Sequence, residues 1–184
     1  MDSINKLSSS LPVTPRMPVL FLGHGSPMNA IEENQFVKGF RKVSEVIPKP
    51  AAILCVSAHW ETVGTKVTIM EKPRTIHDFG GFPPELYQIQ YPAPGSPLLA
   101  NETIKSVSSY KIQSDAEWGL DHGAWSLIKH LYPDASVPVV QMSLDIYKNP
   151  DQHYEIAGEL ASLRSKGVLI IGSGNMVHNL GMVD

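Results

Sequence analysis

Residues 51–57 read AAILCVS, an apolar run closed by a serine, and residues 168–171 read VLII. Strands that are covered by helices on both faces are continuously apolar, so both runs predict central strands of a largely parallel sheet. Enrichment in valine and isoleucine predicts further strands on the same grounds. These are Val19–Leu22, Val67–Met70 and Val137–Met142, with a weaker candidate at Tyr110–Gln113.

Segments with apolar residues at helical spacing alternate with these strands. The predicted helices are Gln35–Ile47, Pro97–Val107, Ala124–Tyr132 and Pro150–Arg164. This alternation is typical of α/β proteins, and we predict a three-layer domain with a mostly parallel central sheet and helices on both faces. The proline- and glycine-rich stretch Glu71–Ser96 contains no convincing helix, and loops of this length often form lids or pocket walls.

Size and composition limit the class of protein. A chain of 184 residues predicts one domain, which we place at residues 17–184 after a flexible arm at residues 1–16. The net charge of −3, without a basic run, argues against nucleic acid or an acidic membrane as a partner. No apolar run approaches the ~18 residues of a membrane span. The arm lacks the apolar core of a signal peptide, and the single Cys55 excludes an internal disulfide, so we expect a cytoplasmic protein.

Three histidines follow predicted strands. His24 comes after the first strand, His59 after residues 51–57 and His178 after residues 168–171. In open α/β sheets ligands bind outside the carboxyl ends of the strands, and imidazole is the commonest neutral metal ligand. The pattern therefore predicts a metal centre at one edge of the sheet.

Each of these histidines also has a plainer explanation. His24, in GHGSPM, fits an ordinary turn or a glycine loop around an anion. His59 fits a hydrogen-bonded core histidine, and His178, after GSGN, fits a turn. Taken together on neighbouring strand ends, the three histidines favour ligation.

The remaining histidines differ in their expected roles. His122, in DHG, lies where a predicted helix begins and where the helix dipole favours an anion. His77 lies in the long loop and is a candidate for a pocket wall. His130 and His153 fall inside predicted helices, and we expect both at the surface without a role.

Six segments in this order resemble the LigB superfamily of class III extradiol ring-cleaving dioxygenases, in particular its DOPA 4,5-dioxygenase-type branch. They are GHGSPM at 23–28, SAHW at 57–60, TIHDFGGFP at 75–83, YPAPG at 91–95, DHG at 121–123 and GNMVHN at 174–179.

The resemblance implies roles for individual residues. His24 and His59 match the two metal-binding histidines of the family. His178 matches a histidine at the metal that acts as a ligand or as the catalytic acid and base. His122 matches a second-shell histidine beside the substrate oxygens, with catalytic and substrate-binding roles, and His77 belongs to a motif that we assign to substrate binding.

The implied activity is insertion of O₂ into a DOPA-like catechol at one divalent metal, Fe(II) or Zn(II), to give a ring-opened semialdehyde. Family members continue past the His178 motif, where a later Glu or His supplies another ligand, so we expect residues 17–184 to be a catalytic domain without its C-terminal part. Two alternatives stay open. One is a zinc-dependent hydrolase on the same scaffold, and the other is a non-enzymatic metal-binding module like the Memo proteins.

Overall fold

The computed structural model describes residues 11 and 13–176, which form a single six-stranded sheet. The strand order is β1-β6-β2-β5-β3-β4. All neighbouring strands run parallel except β3 and β5, so the prediction of a mostly parallel sheet is confirmed. The strands are β1 Val19–Gly23, β2 Ala52–Thr62, β3 Thr65–Thr68, β4 Ile112–Asp115, β5 Val139–Asp145 and β6 Val168–Gly174.

The helices begin at residues that satisfy the first free backbone N–H groups. Asn34 accepts two such bonds at the start of the first long helix, and Asn149 forms a capping box with Gln152 at the start of the last. The helices are α1 Gln35–Val46, α2 Pro84–Tyr87, α3 Pro97–Ser106, α4 His122–Leu131 and α5 Pro150–Leu160, with 3₁₀ turns at Pro27–Ala30 and Ala161–Lys166.

The sheet separates two hydrophobic cores, one on each face. Ile53 and Cys55 of β2 point into the first core with α1 and α4, whereas Ala52 and Leu54 point into the second with α3 and α5. The predicted helices on both faces are therefore confirmed. Cys55 is fully buried, and burial raises the pKa of its thiol, so it acts as a small core residue.

Three sequence-based expectations were wrong in detail. The long stretch Glu71–Ser96 contains a short helix, α2 at Pro84–Tyr87. β2 does not end at Ser57 but continues to Thr62, so His59 lies inside the strand and not after it. The pairing of β2 with β5 shifts between Val56 and Glu61, and this irregularity lies beside His59. His130 is not at the surface: it is buried in α4, and its Nε2 donates to the carbonyl of Asn29 at 2.7 Å.

The end of the predicted arm contacts the domain, because the Thr14 N–H donates to the Ser165 carbonyl at 2.8 Å. Residues 1–10 and 12 of that arm lie outside the described residues. Within the described part of the chain, the structure has no helix that is both long and apolar enough to cross a membrane.

A substitution at Gly95, where the long loop joins α3, would test how closely this loop is packed. A Cβ atom at Gly95 would lie 2.0 Å from the Met70 carbonyl oxygen, which belongs to the rigid backbone. We expect Gly95→Ala to lower the free energy of unfolding by at least about 2 kcal/mol, measured by urea denaturation. Gly80→Ala, in the same loop with open space around it, is the control and should change the value by less than about 0.5 kcal/mol. Equal stability of the two variants would show that the loop is not packed as described.

Candidate metal centre

Three histidines from three different elements converge at the carboxyl ends of the parallel strands. His24 directly follows β1, His59 lies in β2 and His122 is the first residue of α4. Their ligand atoms all lie within 4.8 Å of one another, and Nε2 of His24 lies 3.0 Å from Nε2 of His59. The imidazole centroids of His59 and His122 are 3.9 Å apart.

This arrangement agrees only in part with the trio predicted from the sequence. His24 and His59 lie side by side, as expected. His178 lies outside the described residues, so its predicted place at the metal stays a prediction. His122, expected in the second shell, lies as close to the pair as a ligand would.

Ser173 sets the orientation of the His24 ring. Its Oγ lies 2.9 Å from His24 Nδ1 and donates its single hydrogen to the Gly123 carbonyl. The hydroxyl can therefore only accept from His24, so the hydrogen of that imidazole is on Nδ1 and its lone pair is on Nε2.

Asp78 contacts the other two histidines. Its Oδ1 accepts the His122 N–H at 2.8 Å and lies 3.0 Å from His122 Nδ1, and its Oδ2 lies 3.6 Å from His59 Nδ1. Burial alone would raise the pKa of Asp78, but the hydrogen bonds and charge of His122 outweigh it, and the pKa is lowered. An ionised carboxylate therefore faces both Nδ1 atoms.

The donor set fits a divalent transition metal. With its hydrogen on Nδ1, His24 turns the lone pair of its Nε2 toward Nε2 of His59, 3.0 Å away, a distance that suits either an N–H···N hydrogen bond or two nitrogen ligands of one cation. Two imidazole ligands about 2.0–2.1 Å from one metal, at a right angle, would be about 3.0 Å apart. The observed spacing fits two ligands of one ion.

A buried polar network contacts the backbone of His59. Ser57 Oγ accepts the His59 N–H at 3.2 Å and donates to Asp121 at 2.8 Å. Asp121 also accepts from Gln141 of β5 and caps α4 through Ala124. Burial and then the charge of Asp78 raise the pKa of Asp121 to about 6, against the hydrogen bonds from Ser57 and Gln141. The network thus links β2, β5 and α4, two of which carry His59 and His122.

Asn29 supports His24 in a comparable way. Its side chain donates to the His24 carbonyl at 2.9 Å and accepts from Asn34 at 2.8 Å. Because His130 binds the Asn29 carbonyl, a histidine without an expected role helps to hold the loop that carries His24.

His77 builds the wall beside the centre rather than facing it. Its Nε2 donates to the Ile89 carbonyl at 3.0 Å, and its ring packs against Phe79, Tyr87 and Trp125. Phe79 reaches the histidines, with its ring centroid 5.4 Å from that of His122. The long loop is thus a wall of the site, as its composition suggested.

Sequence reasoning missed Asp78, Phe79 and Ser173. The first two belong to the motif TIHDFGGFP, in which only His77 was singled out. Ser173 belongs to the segment GSGN, which the sequence indicates only as a turn. Asp78 could have been found because it is a hydrogen-bond acceptor that directly follows His77 in this motif.

The fold and this histidine group define a class of protein. The chain belongs to the family described as the catalytic LigB subunit of aromatic ring-opening dioxygenase, whose model matches residues 15–182, so the resemblance inferred from the motifs is confirmed.

Individual relatives are similar over most of the chain. A protein of Escherichia coli K12 named 4,5-DOPA dioxygenase extradiol is 51% identical over 169 residues, which are 91% of this chain and 62% of that protein. A protein of the same name from Beta vulgaris is 43% identical over 165 residues, or 86% of this chain and 61% of that protein. A crystal structure of an uncharacterized Escherichia coli K12 protein superposes with a TM-score of 0.76 at 44% identity, over 91% of this chain and 64% of that one. The chain thus spans about three fifths of the length of these relatives.

Proposed function

We propose that this protein is a metal-dependent extradiol dioxygenase that inserts O₂ into a DOPA-like catechol and gives a ring-opened semialdehyde. The observation that carries the proposal is the convergence of His24, His59 and His122 in a chain of the LigB family. The names of the relatives support the catechol substrate. A cytoplasmic location, and the lack of nucleic-acid or membrane partners, belong to the proposal and rest on composition alone.

His24 and His59 would hold one divalent metal, Fe(II) or Zn(II), with His178 as a further ligand or as the acid and base. When bound, the metal supplies two-point binding of the catechol oxygens and a path for electrons to O₂. Zn(II) has no accessible redox change, so the proposal assigns ring opening to the Fe(II) form.

His122 is the residue that we assign to the substrate oxygens. Asp78 accepts its backbone N–H and lies 3.0 Å from its Nδ1, which places the ring beside the other two histidines. In that orientation its second nitrogen can exchange a proton with a catechol oxygen. His178 is proposed as the partner acid and base, on the family resemblance.

The wall formed by the long loop would receive the flat substrate ring. Phe79 packs edge-on against His122 and also contacts Phe82 and Tyr87. Aromatic side chains favour stacked or edge-on contacts with another ring and keep water out. His77 would contribute to substrate binding by holding this wall through Ile89.

Oxygen consumption tests the proposal directly. The protein is loaded anaerobically with Fe(II) and mixed with L-DOPA, or with protocatechuate as a second catechol, in aerated buffer. We expect O₂ uptake together with a yellow ring-opened product, and neither signal with the Zn(II)-loaded protein. Absence of both signals across a panel of catechols would refute the dioxygenase.

The same three imidazoles also suit a hydrolytic zinc ion, which is the second candidate function. Ester or amide turnover by the Zn(II) form, without any dependence on O₂, would favour it.

A further inference from the structure

We propose that Gln141 is a positioning residue of the metal centre, which holds Asp121 in place and thereby sets where His59 and His122 lie relative to each other. The inference rests on the proposed function to the extent that these histidines surround a metal. It concerns a residue of β5 that lies outside all the sequence motifs quoted above.

Gln141 is a buried amide in a strand whose neighbours are mostly apolar. β5 reads VVQMSLD and lies between β2 and β3 in the sheet. Gln141 is fully buried and is paired in register with Cys55, which points into the core shared with α4. Burial of an amide costs free energy unless the amide is hydrogen-bonded, so an apolar side chain would suit this position if packing were its only role.

Both ends of the Gln141 side chain bind one residue, Asp121. The Asp121 N–H donates to Oε1 at 3.1 Å, and Nε2 donates to the Asp121 carboxylate. A backbone N–H can only donate, so Oε1 must face it and the NH₂ group must face the carboxylate. The backbone and the side chain of Asp121 are therefore both held by a strand inside the sheet.

Asp121 connects this strand to the two histidines. Its Oδ1 accepts from Ser57 Oγ at 2.8 Å and from the Ala124 N–H at 3.0 Å, and Ser57 Oγ accepts the His59 N–H at 3.2 Å. Asp121 also directly precedes His122 and caps α4. A displacement of Asp121 would therefore move the start of α4 and weaken the contact that holds the backbone of His59.

α4 packs closely on β2 at this point. A Cβ atom at Gly123 would lie 2.5 Å from Ser57 Oγ and 3.3 Å from Asp121 Oδ1. The imidazole centroids of His59 and His122 are only 3.9 Å apart. Because the two elements meet at the network itself, a change in the network would change the spacing of the two rings.

Gln141→Met tests the proposal without a change of charge. Methionine has a similar length and suits an apolar strand, but it cannot bind the Asp121 N–H or the carboxylate. Zn(II) titration should show affinity weaker than that of the parent protein by about 10-fold, as expected for loss of a group that supports metal ligands.

Ser143→Ala is the matched control. Ser143 lies in the same strand and is also fully buried, and its Oγ accepts the Lys66 N–H at 2.8 Å and lies 2.6 Å from Thr62 Oγ1. This variant also loses buried hydrogen bonds, but they join β5 to β2 and β3 and not to α4. It should lose stability in urea and keep parent-like Zn(II) affinity.

The visible absorption of the Co(II)-loaded protein separates positioning from a merely structural role. The bands of Co(II) depend on the number and arrangement of its ligands. They should differ from those of the parent protein in Gln141→Met and should be unchanged in Ser143→Ala.

The double variant Asp121→Asn/Gln141→Glu exchanges the amide and the carboxylate and keeps their total charge. The carboxylate now on β5 can accept both the backbone N–H and the amide at position 121, while that amide's oxygen can still accept from Ser57 and Ala124. This variant should regain most of the Zn(II) affinity that Gln141→Met loses.

Three results would each overturn the proposal. They are parent-like affinity and Co(II) absorption in Gln141→Met, an equal loss of affinity in Ser143→Ala, and a double variant that binds Zn(II) no better than Gln141→Met. If Gln141→Met does not fold, Gln141→Asn, whose amide is one carbon shorter, replaces it with the same expectations. None of these measurements uses O₂ or a catechol, so failure of the dioxygenase assay would leave their result standing.

Discussion

The His24→Ala and His59→Ala variants are each expected to lose stoichiometric metal. The two Nε2 atoms lie 3.0 Å apart, and removal of either would leave a bound ion without one of its proposed ligands. Since loss of a supporting residue outside the ligand shell already costs about 10- to 100-fold in affinity, loss of a ligand should cost more than about 100-fold. Metal content after gel filtration and titration with Zn(II) would measure the effect.

His153→Ala is the control for these variants. His153 lies in α5, and its Nε2 donates to the Asp145 carbonyl at 3.2 Å, so it has a hydrogen bond to lose but no contact with the three histidines among those described. It should retain parent-like metal content. One metal ion per chain in the His24→Ala/His59→Ala double variant would rule out the site.

Gly123→Ala is expected to damage the centre without removing any ligand. Gly123 follows His122 in α4, and a Cβ there would lie 2.5 Å from Ser57 Oγ and 2.8 Å from Cδ2 of the His59 ring. The methyl group would push His59 away from His24 and strain the bond from Ser57 to Asp121. We expect at least about a 10-fold loss of Zn(II) affinity and about 1–3 kcal/mol of destabilisation, from metal titration and urea denaturation.

The sign of the expected stability change distinguishes Gly123→Ala from an ordinary glycine-to-alanine substitution in a helix. Glycine in a helix interior costs about 1 kcal/mol relative to alanine, so the same substitution at an unobstructed site stabilises a protein. Gly158 in α5 has open space around it and is the control: Gly158→Ala should gain about 0.4–1 kcal/mol and keep its metal affinity. If Gly123→Ala behaved like Gly158→Ala, the close packing of α4 on His59 would be refuted.

The strands and helices were largely predictable because their signals are local. The apolar runs at residues 51–57 and 168–171 belong to strands that are buried on both faces, and such burial forces continuous hydrophobicity. The helix starts at Gln35, Pro97 and Pro150 follow capping residues that are adjacent in the chain. The antiparallel contact of β3 with β5 and the continuation of β2 through His59 depend on pairing between distant strands, which local periodicity does not encode.

The candidate site was predictable in its donors but not in its geometry. His24 and His59 were recognisable as candidates because imidazole is a common metal ligand and each follows a strand predicted from the sequence. The closeness of His122 to them depends on how α4 packs against β2, which brings together residues from separate parts of the chain.

By itself, the sequence determined the α/β architecture, the membership of the LigB family and the histidines that can bind a metal, because these follow from local burial patterns and from short motifs. Only the tertiary structure decided which side chains contact these histidines. Ser173 is 149 residues from His24, and Asp78 is 44 residues from His122. Hydrogen-bond partners so far apart are determined by the packing of the sheet, the loop and α4, and that packing brings His24, His59 and His122 together.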